Sequence, residues 1–200
     1  MTPVLRTLAA ALALAWPLAI EAATLDVHVQ DVAGRPLGGA VVSVLPDGPV
    51  QLAHGATAQM AQKNRTFVPH VLVVQAGTAV QFPNFDTIRH HVYSFSAIKP
   101  FEIKLYAATP VAPIIFDKPG TAVLGCNIHD RMSAFIHVVG TPYYATTDAQ
   151  GDTHLTVPDG ELRLQIWHPM YTDAHTPPVQ AYRPAMGTHL TIVLKPPGGP

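Results

Sequence analysis

Cysteine is almost missing from this chain, with one residue in 200, Cys126. No internal disulfide can form, so the fold must be stabilised by burial. Charge is scarce as well. Asp, Glu, Lys and Arg make up 12% of the residues, roughly half the usual share of about 25%. A formal net charge of −1 and the lack of any Lys/Arg stripe remove the electrostatic basis for binding nucleic acid. No sustained helical period occurs beyond the N-terminal segment. What is plentiful is proline (20) and glycine (14), together with Val and Thr. That mixture points to short strands joined by tight turns.

The first residues have the order of a cleaved secretory signal. Met1 to Arg6 is a short basic region, Thr7 to Ile20 is apolar, and Ala22-Ala23 are small. The apolar run is short for a membrane span. Residues 1–23 are therefore expected to be a signal peptide, and the mature chain a periplasmic or secreted protein with no membrane span.

Leu25 to Gln30 alternates apolar and polar residues, the period of a half-buried strand. Further strands are expected at Ala40 to Leu45, Ala58 to Gln62, His70 to Val74, Ala79 to Phe82, His90 to Phe95 and Phe101 to Leu105. Others follow at Ala122 to Cys126, Ala134 to Val139, His154 to Val157, Leu162 to Trp167 and His189 to Leu194. Turn signals at Gly77, Pro119-Gly120, Gly151 and Asp159-Gly160 separate many of them. The expected class is all-β, an antiparallel sandwich or two.

The chemistry centres on Cys126-Asn127-Ile128-His129-Asp130-Arg131-Met132. A strand ending at Cys126 delivers a thiolate, and the short loop after it can fold His129 and Met132 around the same point. A second imidazole must come from the His90-His91 pair on a neighbouring strand. One Cys, two His and a weakly held Met select copper and suit it to electron transfer, since they leave the geometry between the preferences of Cu(I) and Cu(II). A zinc site is disfavoured because a thioether is a poor zinc ligand. In a strand His90 and His91 point to opposite faces, so spacing alone leaves open which one faces the metal.

Residues 58–139, about two-fifths of the chain, resemble a cupredoxin, the Greek-key blue-copper β-sandwich. The likeness lies in Phe67-Val68-Pro69, in Val74 through Asp86 followed by His90, and in Cys126-x2-His129-x2-Met132, which matches the ligand loop of amicyanin. The Asn-Phe-Asp, His-His-Val-Tyr-Ser and Gly-Cys-Asn-Ile-His-Asp strings resemble plastocyanin-like proteins of methylamine utilisation. This resemblance implies one type 1 copper bound by His90, Cys126, His129 and Met132. His91, replacing a common Asn, becomes a candidate to tie its strand to the Cys126 loop. Gly125, with less bulk than usual, would admit solvent. Val29 through Val42, with Thr146 to Gly151 and Val157 to Trp167, resembles a carboxypeptidase-regulatory-like, transthyretin-type sandwich. The implied organisation is a copper domain (58–139) inserted in a discontinuous partner (24–57 and 140–197), with a tail at 198–200.

The resulting expectation is an exported protein passing single electrons between redox partners, with amine oxidation as the implied context. Two alternatives stay open, a non-redox copper carrier or sensor and a structural β-domain without metal. A nucleophilic Cys126 lacks an oxyanion site or a catalytic signature, so no enzyme is expected. His28, His54, His70, His137, His154, His168, His175 and His189 read as solvated or structural, and Trp167 as a core aromatic.

Overall fold

The computed structural model describes residues 22–110, 112–128, 131–158, 161–170, 179–182 and 188–196. The expected signal at 1–23 (but for its last two residues), the tail, His175 and His129 lie outside them. All regular structure among the described residues is β. The strands are β1 (Ala22–Asp31), β2 (Val41–Pro46), β3 (Thr57–Gln59), β4 (Ala61–Lys63), β5 (Thr66–Val68) and β6 (Val71–Gln75). Next come β7 (Thr78–Gln81), β8 (His90–Ser94), β9 (Phe101–Tyr106), β10 (Ile114–Phe116), β11 (Gly120–Gly125) and β12 (Ser133–Val139). The last are β13 (Tyr144–Thr146), β14 (Asp152–Pro158), β15 (Leu162–Trp167), β16 (Val179–Tyr182) and β17 (Thr188–Leu194).

The ends of the chain pair with each other. β1 lies between β14, antiparallel, and β17, parallel, while β13, β2, β15 and β16 form a four-stranded sheet. Alternation supplies their common core. Leu25, Val27 and Val29 of β1 meet Val42, Val44, Leu155, Val157, Leu164 and Ile166. The middle of the chain forms a five-stranded sheet, β6-β12-β11-β8-β9, and a three-stranded sheet, β10-β7-β3, beside the hairpin β4-β5. A separate core of Met60, Phe67, Phe82, Val92, Phe116, Leu124 and Ile136 fills this part and includes Cys126 and Met132.

β12 joins the two cores. Ala134, Ile136 and Val138 face the middle core. The alternate residues Phe135 and His137 turn the other way and meet Trp167 of β15. The His137 ring stacks on the indole at 4.6 Å and 13°, and Phe135 approaches it edge-on at 5.7 Å. Trp167 and His137 are both buried, with Val41 and Val139 alongside. Trp167 is thus a core aromatic, as expected, but its core is this seam. Four short strands, β5, β10, β13 and β16, were not expected.

His137 gives the seam a pH dependence. Burial pushes its imidazole down to about 4, with Thr121 Oγ1 2.9 Å from Nδ1. The folded state holds the ring neutral, whereas the unfolded chain protonates it near the ordinary value of about 6.5. Its stabilising contribution is therefore complete above pH 6.5 and falls away as the pH drops towards 4. Thermal unfolding across this range should show a loss of up to about 3 kcal/mol, from about 1.4 kcal/mol per pH unit. His137→Gln should flatten that slope; an unchanged slope would remove His137 as its cause.

Candidate metal centre

Two tight turns and a carboxylate fix the imidazole of His90. β4 and β5 are joined by Asn64 and Arg65, both with positive φ (54° and 59°), as in a two-residue type I′ hairpin. That conformation aims both backbone N–H groups outwards, and they donate to Asp86 Oδ1 (2.7 Å) and Oδ2 (2.9 Å). Asn84 holds the chain on the other side. Its Oδ1 accepts from Asp86 N at 2.9 Å, and its Nδ2 donates to Ile88 O and Tyr106 O. Burial pushes the Asp86 carboxyl up, but the Arg65 and Asn64 N–H groups and His90 outweigh it, so the group stays below the ordinary carboxylate range.

Asp86 Oδ2 stands 2.8 Å from His90 Nε2, and His90 has no exposed surface. A carboxylate there accepts a hydrogen bond from Nε2–H, so Nδ1 carries the lone pair. Nδ1 is the nitrogen that faces Cys126 Sγ, at 3.9 Å. Cys126 follows β11 directly and is 4% exposed. Met132, 3% exposed, precedes β12 and lines the same cleft of about 580 Å³ as Cys126, with Tyr93, Phe95 and Asn127. The structure therefore brings His90 and Cys126 together and puts Met132 on the wall of the Cys126 cleft. His129 is not among the described residues.

The donor set fits a first-row metal ion. Bonds of about 2.3 Å to a thiolate and about 2.0 Å to an imidazole, meeting at a trigonal angle, span about 3.7 Å. The observed separation is 3.9 Å. Among the described residues no group of three or more His, Cys, Asp or Glu could hold a metal ion; Met is not of those types, and His129 is not described.

Two expectations need correction. His91 does not tie β8 to the Cys126 loop. Its Nε2 stands 2.8 Å from Glu102 Oε1 on β9, and its buried Nδ1 has no partner among the described residues. Glu102 is the cross-strand partner of Tyr93, two residues from His91 on the same face of β8, so the β8–β9 pairing puts His91 and Glu102 on a diagonal. Gly125 lines the cleft beside Cys126, but its missing bulk is not left as open space. Its cross-strand neighbour is Tyr93, whose ring occupies the space that a side chain would need, so a Cβ on Gly125 would lie 2.5 Å from Tyr93 Cζ. Asp86, the Asn64-Arg65 turn and Tyr93 were missed by sequence reasoning. Asp86 carried a signal, a carboxylate four residues before His90.

No protein-family model matches the chain, and no curated protein does. Solved structures do. A purple cupredoxin from Nitrosopumilus maritimus is 19% identical, covers 42% of this chain and 99% of its own, and has a TM-score of 0.37. A copper-containing nitrite reductase from Thermus scotoductus SA-01 is 28% identical over 48% of this chain, at a TM-score of 0.38. The match spans only 25% of that reductase. A reduced amicyanin variant is 17% identical over 49% of this chain and 98% of its own, also at 0.38.

The Gly125–Tyr93 packing predicts a specific epistasis. Gly125→Ala should destabilise the fold by about 1–3 kcal/mol through overpacking, and Tyr93→Leu in the same chain should recover much of the loss. Denaturant unfolding of the two variants checks this. Equal losses with and without Tyr93 would place the strain elsewhere.

Proposed function

We propose that this protein is an exported type 1 copper protein that passes single electrons between redox proteins, with His90, Cys126, His129 and Met132 as its ligands. One observation carries the reading. A fully buried imidazole, with its Nε2 held by Asp86, presents Nδ1 to a buried thiol at 3.9 Å. Bound there, copper supplies one-electron chemistry by alternating between Cu(I) and Cu(II). The Cys126 thiolate provides soft ligation, and Met132 a weak sulfur donor. Asp86 and the Asn64-Arg65 turn hold the His90 ring in one orientation, which limits rearrangement when the electron moves.

The burial of His90 and the near-burial of Cys126 favour an electron carrier over a protein that hands copper on, because little of either ligand is open to an incoming acceptor. The link to amine oxidation rests on the sequence resemblance, and export rests on the signal-like order of residues 1–23. The reading of 58–139 as a copper domain within a carboxypeptidase-regulatory-like partner also rests on resemblance. Separate pairing of the strands between 57 and 139 from those at either end is consistent with that division.

Copper loading should produce an intense visible charge-transfer band. Cys126→Ser should abolish it, and His90→Gly should lose it until added imidazole fills the position. A colourless Cu(II) complex of the wild-type protein would sink the type 1 reading.

The reduction potential separates the weaker contributors. Met132→Leu should keep the colour and raise the potential, since losing a sulfur donor disfavours Cu(II). Asp86→Asn should also raise it, because the ring loses a carboxylate that increases its basicity. Voltammetry of the coloured variants is the check, and potentials equal to wild type would remove both residues from the site.

A further inference from the structure

A second cluster of metal-ligating side chains lies on the other sheet. Because Leu25, Val27 and Val29 of β1 fill the core, Asp26 and His28 stand on its outer face. The strand register brings partners to both. Asp26 lies between His154 of β14 and His189 of β17, and His28, one pleat along, lies opposite Asp152. His154 Nδ1 hydrogen-bonds to Asp26 Oδ1, His189 Nε2 is 3.4 Å from Asp26 Oδ2, and His28 Nδ1 is 2.7 Å from Asp152 Oδ1. All five side chains line one open cleft of about 390 Å³. Hydrogen bonding to His154 holds the Asp26 carboxyl below its ordinary range, and the same bond raises the His154 imidazole.

Pairing the strands needs none of this, and a single ion pair would satisfy Asp26. Three imidazoles and two carboxylates are instead gathered on one face from residues as distant in sequence as Asp26 and His189. As they stand, no such group among the described residues could hold a metal ion; the rings are turned to the carboxylates. They are not locked there. The His154 and His189 side chains are 75% and 83% exposed, so rotation costs no core packing. Neighbouring strands are about 4.8 Å apart, so the two outer rings stand over strands about 10 Å apart and can lean together above the central carboxylate.

We propose that Asp26, His154 and His189, with His28 adjoining, form a second, exchangeable transition-metal site that takes Cu(II). Imidazole and carboxylate donors without a thiolate suit a divalent ion, and among the first-row divalent ions Cu(II) is bound most tightly. Binding requires neutral imidazoles, so a proton carried by His154 passes to solvent. This site is independent of the Cys126 centre and stands or falls separately.

The test uses the untagged full chain carrying Cys126→Ser and His129→Ala, which removes two proposed ligands of the first centre. Cu(II) alone is titrated by calorimetry and electron paramagnetic resonance. One Cu(II) per chain is expected, with nitrogen hyperfine structure and no intense visible band. Adding His154→Gln and His189→Gln should weaken binding by about tenfold or more, while His54→Gln, at an exposed histidine outside the cluster, leaves it unchanged. In the parent chain, sub-stoichiometric Cu(II) should selectively broaden the His154 and His189 ring resonances. Absence of Cu(II) binding, affinity indifferent to the double substitution, or broadening confined to other histidines would each overturn the proposal and leave a hydrogen-bonded ion-pair cluster. In the wild-type chain, loss of the visible band alone would count against the first centre, and loss of the nitrogen-rich signal alone against the second.

Discussion

A buried imidazole has two nitrogens, and the proton must be assigned to one of them before the other can bind anything. Here the carboxylate of Asp86 makes that assignment. It sits 2.8 Å from His90 Nε2, and its own oxygens are held by the N–H groups of Asn64 and Arg65. The turn can offer both donors only because its two residues adopt positive φ. A hairpin more than twenty residues upstream thereby sets the orientation of the ring that faces Cys126. The same loop is fixed by Asn84, whose amide reaches β9 through Tyr106 O.

The fold around this centre is asymmetric in how it is supported. One face of the five-stranded sheet closes over the middle core, and the other leans on Trp167 through Phe135 and His137. Strand β12 is therefore buried on both faces. It also begins immediately after Met132, so the cleft beside Cys126 is anchored to a strand packed on both faces. The outer sheet formed by β1, β14 and β17 carries polar side chains outwards, which leaves its histidines able to rotate.

Alternation made most of the strands legible in the sequence, because a period of two is directly visible over five or more residues. Strands of three or four residues, such as Ile114–Phe116 and Tyr144–Thr146, are too short to show a period. His90 and Cys126 stand out as residue types. Their approach depends on the pairing of β8 with β11, which alternation cannot rank against other pairings. The partner of His91 was misjudged because the pairing of β8 with β9, which sets Glu102 diagonally across from it, is invisible in β8 alone. Tyr93 over Gly125 is likewise a cross-strand relation, and the Asp26, His154 and His189 cluster depends on two such relations at once.

The central claim is that Cys126 and His90 hold one copper ion together. X-ray absorption at the copper edge of the loaded protein measures this without relying on colour. One short copper–sulfur bond accompanied by two copper–nitrogen bonds in the Cys126 centre is the result expected, and the sulfur contribution should vanish in Cys126→Ser. Coordination by nitrogen and oxygen alone in wild-type protein carrying a single copper ion would contradict the account.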